Sequence, residues 1–155
     1  MNPFHQIICA AAGTLGFALF FHIRKERLLP VSLLGAAAWG IYLLLEKAGA
    51  HLFFCSFGAA LFTAAASEVL ARIFKAPSLV FCITGIIPMV PGSALYYTIE
   101  ALANGQLELA GEKAFVLIWT VLGIGAGCAA TIAAVDMIRS GRHDPQRQKR
   151  TVSRE

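Results

Sequence analysis

Hydrophobic residues fall into five long runs, at 4–23, 28–45, 51–71, 77–103 and 113–138, with short polar stretches between them. Each run is long enough to cross a bilayer core as a helix, which takes about 20 mainly apolar residues. The pattern predicts an all-α membrane protein with five transmembrane helices over residues 1–140. A polar, basic tail at 141–155 is expected to stay disordered on the cytoplasmic side. Nothing resembling a positively charged leader precedes the first run, which is expected to be kept as a helix.

The fourth run differs from the others because Pro88, Pro91 and the glycines at 85 and 92 interrupt its middle. Proline donates no backbone hydrogen bond and clashes with the carbonyl four residues back. Pro88 is therefore expected to loosen the carbonyl of Thr84, and Pro91 that of Ile87. Gly92 is read as supplying backbone angles closed to other residues. Inside hydrocarbon, freed backbone groups need protein, water or a ligand, and broken helices often line the midplane sites of transporters. A plain structural kink accounts for the same residues, since Pro and Gly are frequent in membrane helices. Both readings stand at this point.

Composition agrees with a membrane solvent: 57% of residues are hydrophobic, 14% are charged, and mean hydropathy is +0.68. An ordinary soluble domain is excluded on those numbers. The net charge of +4 raises the question of nucleic acid, but the basic residues sit in loops and the tail without interleaved aromatics, so no nucleic-acid partner is expected. Their placement reads as topology. With the N-terminus outside and five crossings, eleven of the thirteen Lys and Arg residues face the cytoplasm, and only Lys47 and Lys113 face out. That asymmetry follows the positive-inside rule. It favours a fourth segment that crosses once over a re-entrant hairpin, which would place the tail outside. The expected location is the inner membrane of a bacterial cell, multi-pass, N-terminus out and C-terminus in.

The chemistry is sparse. Cys9, Cys55, Cys82 and Cys128 lie in separate hydrophobic runs without a CxxC partner, so neither a disulfide framework nor a metal site is expected. No nucleophile elbow, HExxH or phosphate-binding loop is present, which argues against an enzyme or a cofactor. Around the break, Thr84, Ser93 and Tyr96 offer hydroxyls. The first turn of the half-helix from Gly92 and Ser93 presents unpaired amides that suit a carboxylate. Substrate-binding candidates are therefore Thr84, Pro88, Pro91, Gly92, Ser93 and Tyr96. Glu100 shares a helical face with Ser93 and Tyr96 and is a candidate for proton coupling, with exposure at the outer headgroups as its rival. Glu68, one turn before Arg72, is a second candidate, although that spacing also suits an interfacial ion pair. Asp136 with Arg139 reads as an interfacial pair.

Small residues mark helix contacts: Gly123 and Gly127 have the GxxxG spacing that permits close approach. Packing within the chain and between chains explains them equally well. Five spans cannot divide into two equal inverted halves, so a second chain is expected.

The run Gly85-Ile86-Ile87-Pro88-Met89-Val90-Pro91-Gly92-Ser93-Ala94-Leu95-Tyr96 resembles the threonine/serine exporter (ThrE-like) family, in particular its small membrane subunits. The likeness extends over 28–137 as an order of five spans. It implies the second, five-span unit of an exporter whose first unit comes from a partner subunit. It also implies substrates among hydroxy-amino acids such as threonine and serine, or dicarboxylates such as succinate. The motif carries over to Pro88, Pro91, Gly92, Ser93 and Tyr96 and is silent on Glu68 and Glu100. Two other classes remain: a non-transporting assembly subunit, and a homo-oligomeric channel.

Overall fold

A computed structural model describes residues 2–140 as helices joined by tight turns, with no strand among them. The tail expected at 141–155 lies outside the described residues. The helices are α1 (Pro3–Phe20), α2 (Lys25–Lys47), α3 (Leu52–Phe74), α4 (Ser78–Ile86), α5 (Gly92–Ala103) and α6 (Leu107–Ser140), with a single 3-10 turn at Ile87–Met89 between α4 and α5. Four of them, α1, α2, α3 and α6, are long and apolar enough to cross a membrane alone. The segments Ser78–Met89 and Gly92–Ala103 pass the same test together, bent by 53°. This is the expected all-α membrane architecture, with the interrupted helix fourth.

The helices outrun the hydrophobic runs at several ends. α2 begins at Lys25 and α6 at Leu107, six residues before Lys113. Intrahelical hydrogen bonds are indifferent to side-chain polarity, so the backbone keeps its ladder through charged flanks. Glu108 in the first turn of α6 also suits the positive end of the helix dipole. The connection before it shrinks to Asn104–Gln106, where Gly105 takes φ +73°, an angle open to glycine at little cost.

Short turns make sequential helices antiparallel neighbours. The bundle thus has a basic end, carrying Arg24, Lys25, Arg27, Arg72 and Lys75, and an opposite end at which α1 begins. At the basic end Lys75 closes α3 in the left-handed region, at φ 48°. Arg27 reaches across from α2 and donates to the carbonyl of Phe74 at 2.9 Å, so a cation satisfies the carbonyl-rich end of α3.

Two seams hold the bundle. α6 lies against α3 along Gly123 and Gly127: a Cβ built at either glycine would fall 2.6 Å from a carbonyl oxygen of α3, Phe53 for the first and Phe57 for the second. The GxxxG pattern is therefore an intrachain contact. The hydroxyl of Thr131 ties the same seam, donating to Leu61 O at 3.3 Å and to Gly127 O at 3.1 Å. The second seam is the core around α4. Phe81 packs with Ala18, Val31 and Leu34, and Met89 with Ala38, Ala59 and Ala60, all buried. α4 is thus wrapped by α1, α2 and α3, whereas α5 leans mainly on α6.

Candidate functional site

The break is built by its two prolines and closed by local hydrogen bonds. Val90 N–H donates to Ile87 O at 3.1 Å, Gly92 N–H to Val90 O at 2.8 Å, and Leu95 N–H to Pro91 O at 3.0 Å. Two expectations need correcting. The carbonyl of Ile87 is not left unbonded, because the 3-10 turn brings it a donor one residue nearer than an α-helix would. Gly92 supplies no special angle either, since the glycines at positive φ are Gly49 and Gly105. Its Cβ would enter open space, so the prolines alone account for the turn.

The candidate residues do not all converge. Thr84 is buried on α4, and its hydroxyl donates to Val80 O at 2.8 Å. Met89 is buried in the 3-10 turn, while Pro88 and Pro91 are half-buried. On α5, Ala94, Thr98 and Ala101 are buried, and Thr98 donates back to Ala94 O at 2.6 Å. Ser93, Tyr96 and Glu100 lie together on the opposite, exposed face, as their spacing requires, and Tyr96 is 63% exposed. Tyr97 sits edge-on to Tyr96 at 5.3 Å. The expected polar stripe is present, but within one chain nothing covers it.

Two cavities touch the broken helix. One, of about 360 Å³, lies between α1, α2 and the 3-10 turn, and is lined by Gln6, Cys9, Gly13, Trp39, Ile87 and Pro88. It is mostly apolar, and at its margin the Trp39 indole donates to Gln6 Oε1 at 3.3 Å. Its volume falls at the lower end of the ~300–1,000 Å³ typical of small-ligand pockets. The other, of about 180 Å³, lies nearer the basic end between α3, α4 and α6. Glu68, Ser78, Cys82, Thr131 and Asp136 line it. An adjoining hollow of about 400 Å³ shares Glu68 and Ser78 and continues to Arg72 and Pro77.

Sequence reasoning missed both cavities. Glu68 and Asp136 are neighbours only because α6 returns along α3, and Gln6 meets Trp39 only because α1 pairs with α2. No signal local to either residue reports this. No group of three or more potential metal ligands occurs among the described residues. Every buried side-chain polar atom among them has a partner, the Thr and Ser hydroxyls mostly by bonding the carbonyl four residues back. Polar groups left for a solute are therefore those lining cavities and the α5 face.

Comparison with known proteins gives one family: the profile described as "Threonine/Serine exporter, ThrE" matches residues 6–136. No solved structure matches the chain.

Proposed function

The chain belongs to the threonine/serine exporter family, and on that premise we propose that it is one subunit of a secondary exporter of small carboxylates or hydroxy-amino acids, completed by a second membrane subunit. The observation that carries this reading is the stripe Ser93, Tyr96 and Glu100, exposed beside a proline break on a helix otherwise suited to a membrane. A carboxylate and two hydroxyls facing hydrocarbon are costly, and a partner helix, a solute, or both would relieve that cost. With the Gly92 and Leu95 amides already bonded, the remaining first-turn amides of α5, those of Ser93 and Ala94, would hold the substrate carboxylate, with the Ser93 and Tyr96 hydroxyls beside it. Glu100 would carry a coupled proton, and Glu68 is the second carboxylate suited to that task. Threonine and succinate share the carboxylate that this arrangement selects, so both belong to the proposal.

The proposed topology has α4 and α5 crossing once as a bent span in a bacterial inner membrane, with the N-terminus outside. The basic end then faces the cytoplasm, as charge asymmetry requires.

The test is export of labelled threonine and labelled succinate from cells expressing this chain with and without the partner subunit. Export that needs both chains, and is lost in Ser93→Ala and Glu100→Gln variants that still assemble, is the expected result. Undiminished export by those variants would refute the site, and export by this chain alone would refute the split arrangement.

A further inference from the structure

Two cavities reach the broken helix from opposite ends of the bundle, and a buried layer separates them. We propose that they are access routes from the two membrane faces, and that the layer around Thr84 and Gly85 is the barrier a solute must pass. This inference rests on the transport reading above, but on neither its substrate nor its partner.

The geometry follows from helix rise. On α1, Gln6 to Gly13 spans about 10 Å at 1.5 Å per residue, so the cavity between α1 and the 3-10 turn runs from near the start of α1 to mid-depth. From the basic end, the paired hollows extend from Arg72 and Pro77 to Cys82, about 8 Å along α4 by the same rise. Between Cys82 and Ile87 neither cavity enters. There Thr84 and Gly85 are buried against α2 and α3, with Thr63 and Leu34 buried opposite. The hydroxyls of this layer offer a solute no donor, because Thr84 donates to Val80 O and Thr63 to Ala59 O.

What Gly85 meets distinguishes a barrier from a structural seam. A Cβ built there would lie 2.8 Å from Thr63 Cγ2 and 2.9 Å from Leu34 Cδ2, both side-chain atoms. At Gly123 and Gly127 the nearest atoms are backbone. Side chains can change rotamer without moving a helix, whereas a backbone contact can part only if the helices do. The Gly85 layer is thus closed by parts able to move individually, and it lies on α4 between Cys82 of one cavity and Ile87 of the other.

The experiment uses sided labelling of single-cysteine variants, in the assembled exporter, with a membrane-impermeant sulfonated maleimide. Right-side-out and inside-out vesicles are compared. One variant retains native Cys82, in the cavity at the basic end. A second retains native Cys9, which lines the other cavity and is exposed. The control retains Cys55, which is 1% exposed. Each of the first two should label from one face only, the two faces being opposite, and about tenfold or more faster than Cys55, because burial suppresses thiol reactivity. Adding Leu34→Ala should let Cys82 label from both faces. Labelling of both reporters from the same face, or no faster than Cys55, would overturn the inference. So would strictly one-sided labelling of Cys82 in a folded Leu34→Ala variant. If the faces are opposite but reversed, the two routes stand and the proposed orientation falls. Threonine and succinate separate the premises: slowed labelling supports transport along these routes. Unchanged rates with the sided pattern intact leave the routes standing and count against those solutes.

Discussion

Replacing Gly127 with alanine drives a methyl group into the backbone of α3. The new Cβ would lie 2.6 Å from Phe57 O, 2.9 Å from Leu61 N and 3.0 Å from Ala60 Cβ, where ordinary contact begins near 3.4 Å. At Gly123 the same change meets Phe53 O at 2.6 Å and Ser56 Cβ at 2.8 Å. Backbone atoms cannot rotate aside, so α3 and α6 must separate by most of an ångström. Overfilling a packed interior costs about 1–3 kcal/mol. The same separation stretches the Thr131 bond to Leu61 O, already 3.3 Å long. Opposing this, Gly to Ala inside a helix gains about 1 kcal/mol, which leaves a net loss of about 0–2 kcal/mol per site, centred on about 1. Gly125, between them, meets nothing within 4 Å and is the internal control, expected to be neutral or slightly stabilised as alanine. One separation of the helices relieves both overlaps, so the Gly123→Ala/Gly127→Ala double variant should cost less than the two single losses added together. Thermal unfolding of the purified protein in detergent, followed by circular dichroism, reads this directly. At about 2–4 °C per kcal/mol for a chain of this size, each seam variant should melt several degrees lower while Gly125→Ala does not. Equal melting temperatures for Gly125→Ala and Gly127→Ala would refute the seam, and strict additivity would refute the shared displacement.

Three further predictions address the other structural devices. Gly85→Ala should lose about 1 kcal/mol through contact with Leu34 and Thr63, and Leu34→Ala should offset part of that loss. A double-mutant cycle with no coupling would show that the layer is not closed by these side chains. Arg27→Ala removes the charged donor to Phe74 O, a bond worth about 1.5–3 kcal/mol. Hydrogen exchange in the last turn of α3 should quicken, and unchanged protection would mean that the cap is idle. Pro88→Ala with Pro91→Ala restores two missing donors and should relax the 53° bend. Spin labels at Leu79 and Leu102 should then move apart and export should fall. An unchanged distance would mean that packing, not proline, holds the bend.

Much of the fold is legible in the hydrophobic pattern, because five apolar runs and a proline pair leave few arrangements in a bilayer. What the pattern misses are the ends and the partners. Lys25 and Leu107 start helices beyond the apolar runs because backbone bonding continues where burial stops. The GxxxG of α6 is visible as spacing, but its partner becomes known only once the glycines are seen against Phe53 and Phe57. Gly92 shows the opposite error: a glycine beside a break invites a conformational role, while the prolines already determine the chain path. For the candidate site, the common face of Ser93, Tyr96 and Glu100 follows from helical periodicity. Its exposure does not, because that depends on α5 choosing Ala94, Thr98 and Ala101 for its contact with α6.

That choice explains why the helix is broken where it is. A straight helix from Ser78 to Ala103 would have to satisfy the core of α1, α2 and α3 and the surface of α6 with one axis, and those two supports call for directions 53° apart. The prolines let each half follow its own support. α4 and the 3-10 turn that ends it are anchored by large side chains, with Phe81 of α4 and Met89 of the turn buried among neighbours on three helices. α5 rests on α6 through two alanines and a threonine, and turns the hydroxyls of Ser93 and Tyr96 and the carboxylate of Glu100 away from the bundle. Fewer buried apolar contacts mean a lower cost of local rearrangement, so displacement at the break costs least on the α5 side. The half-helix that carries the candidate substrate groups is therefore also the half that this chain alone holds least firmly.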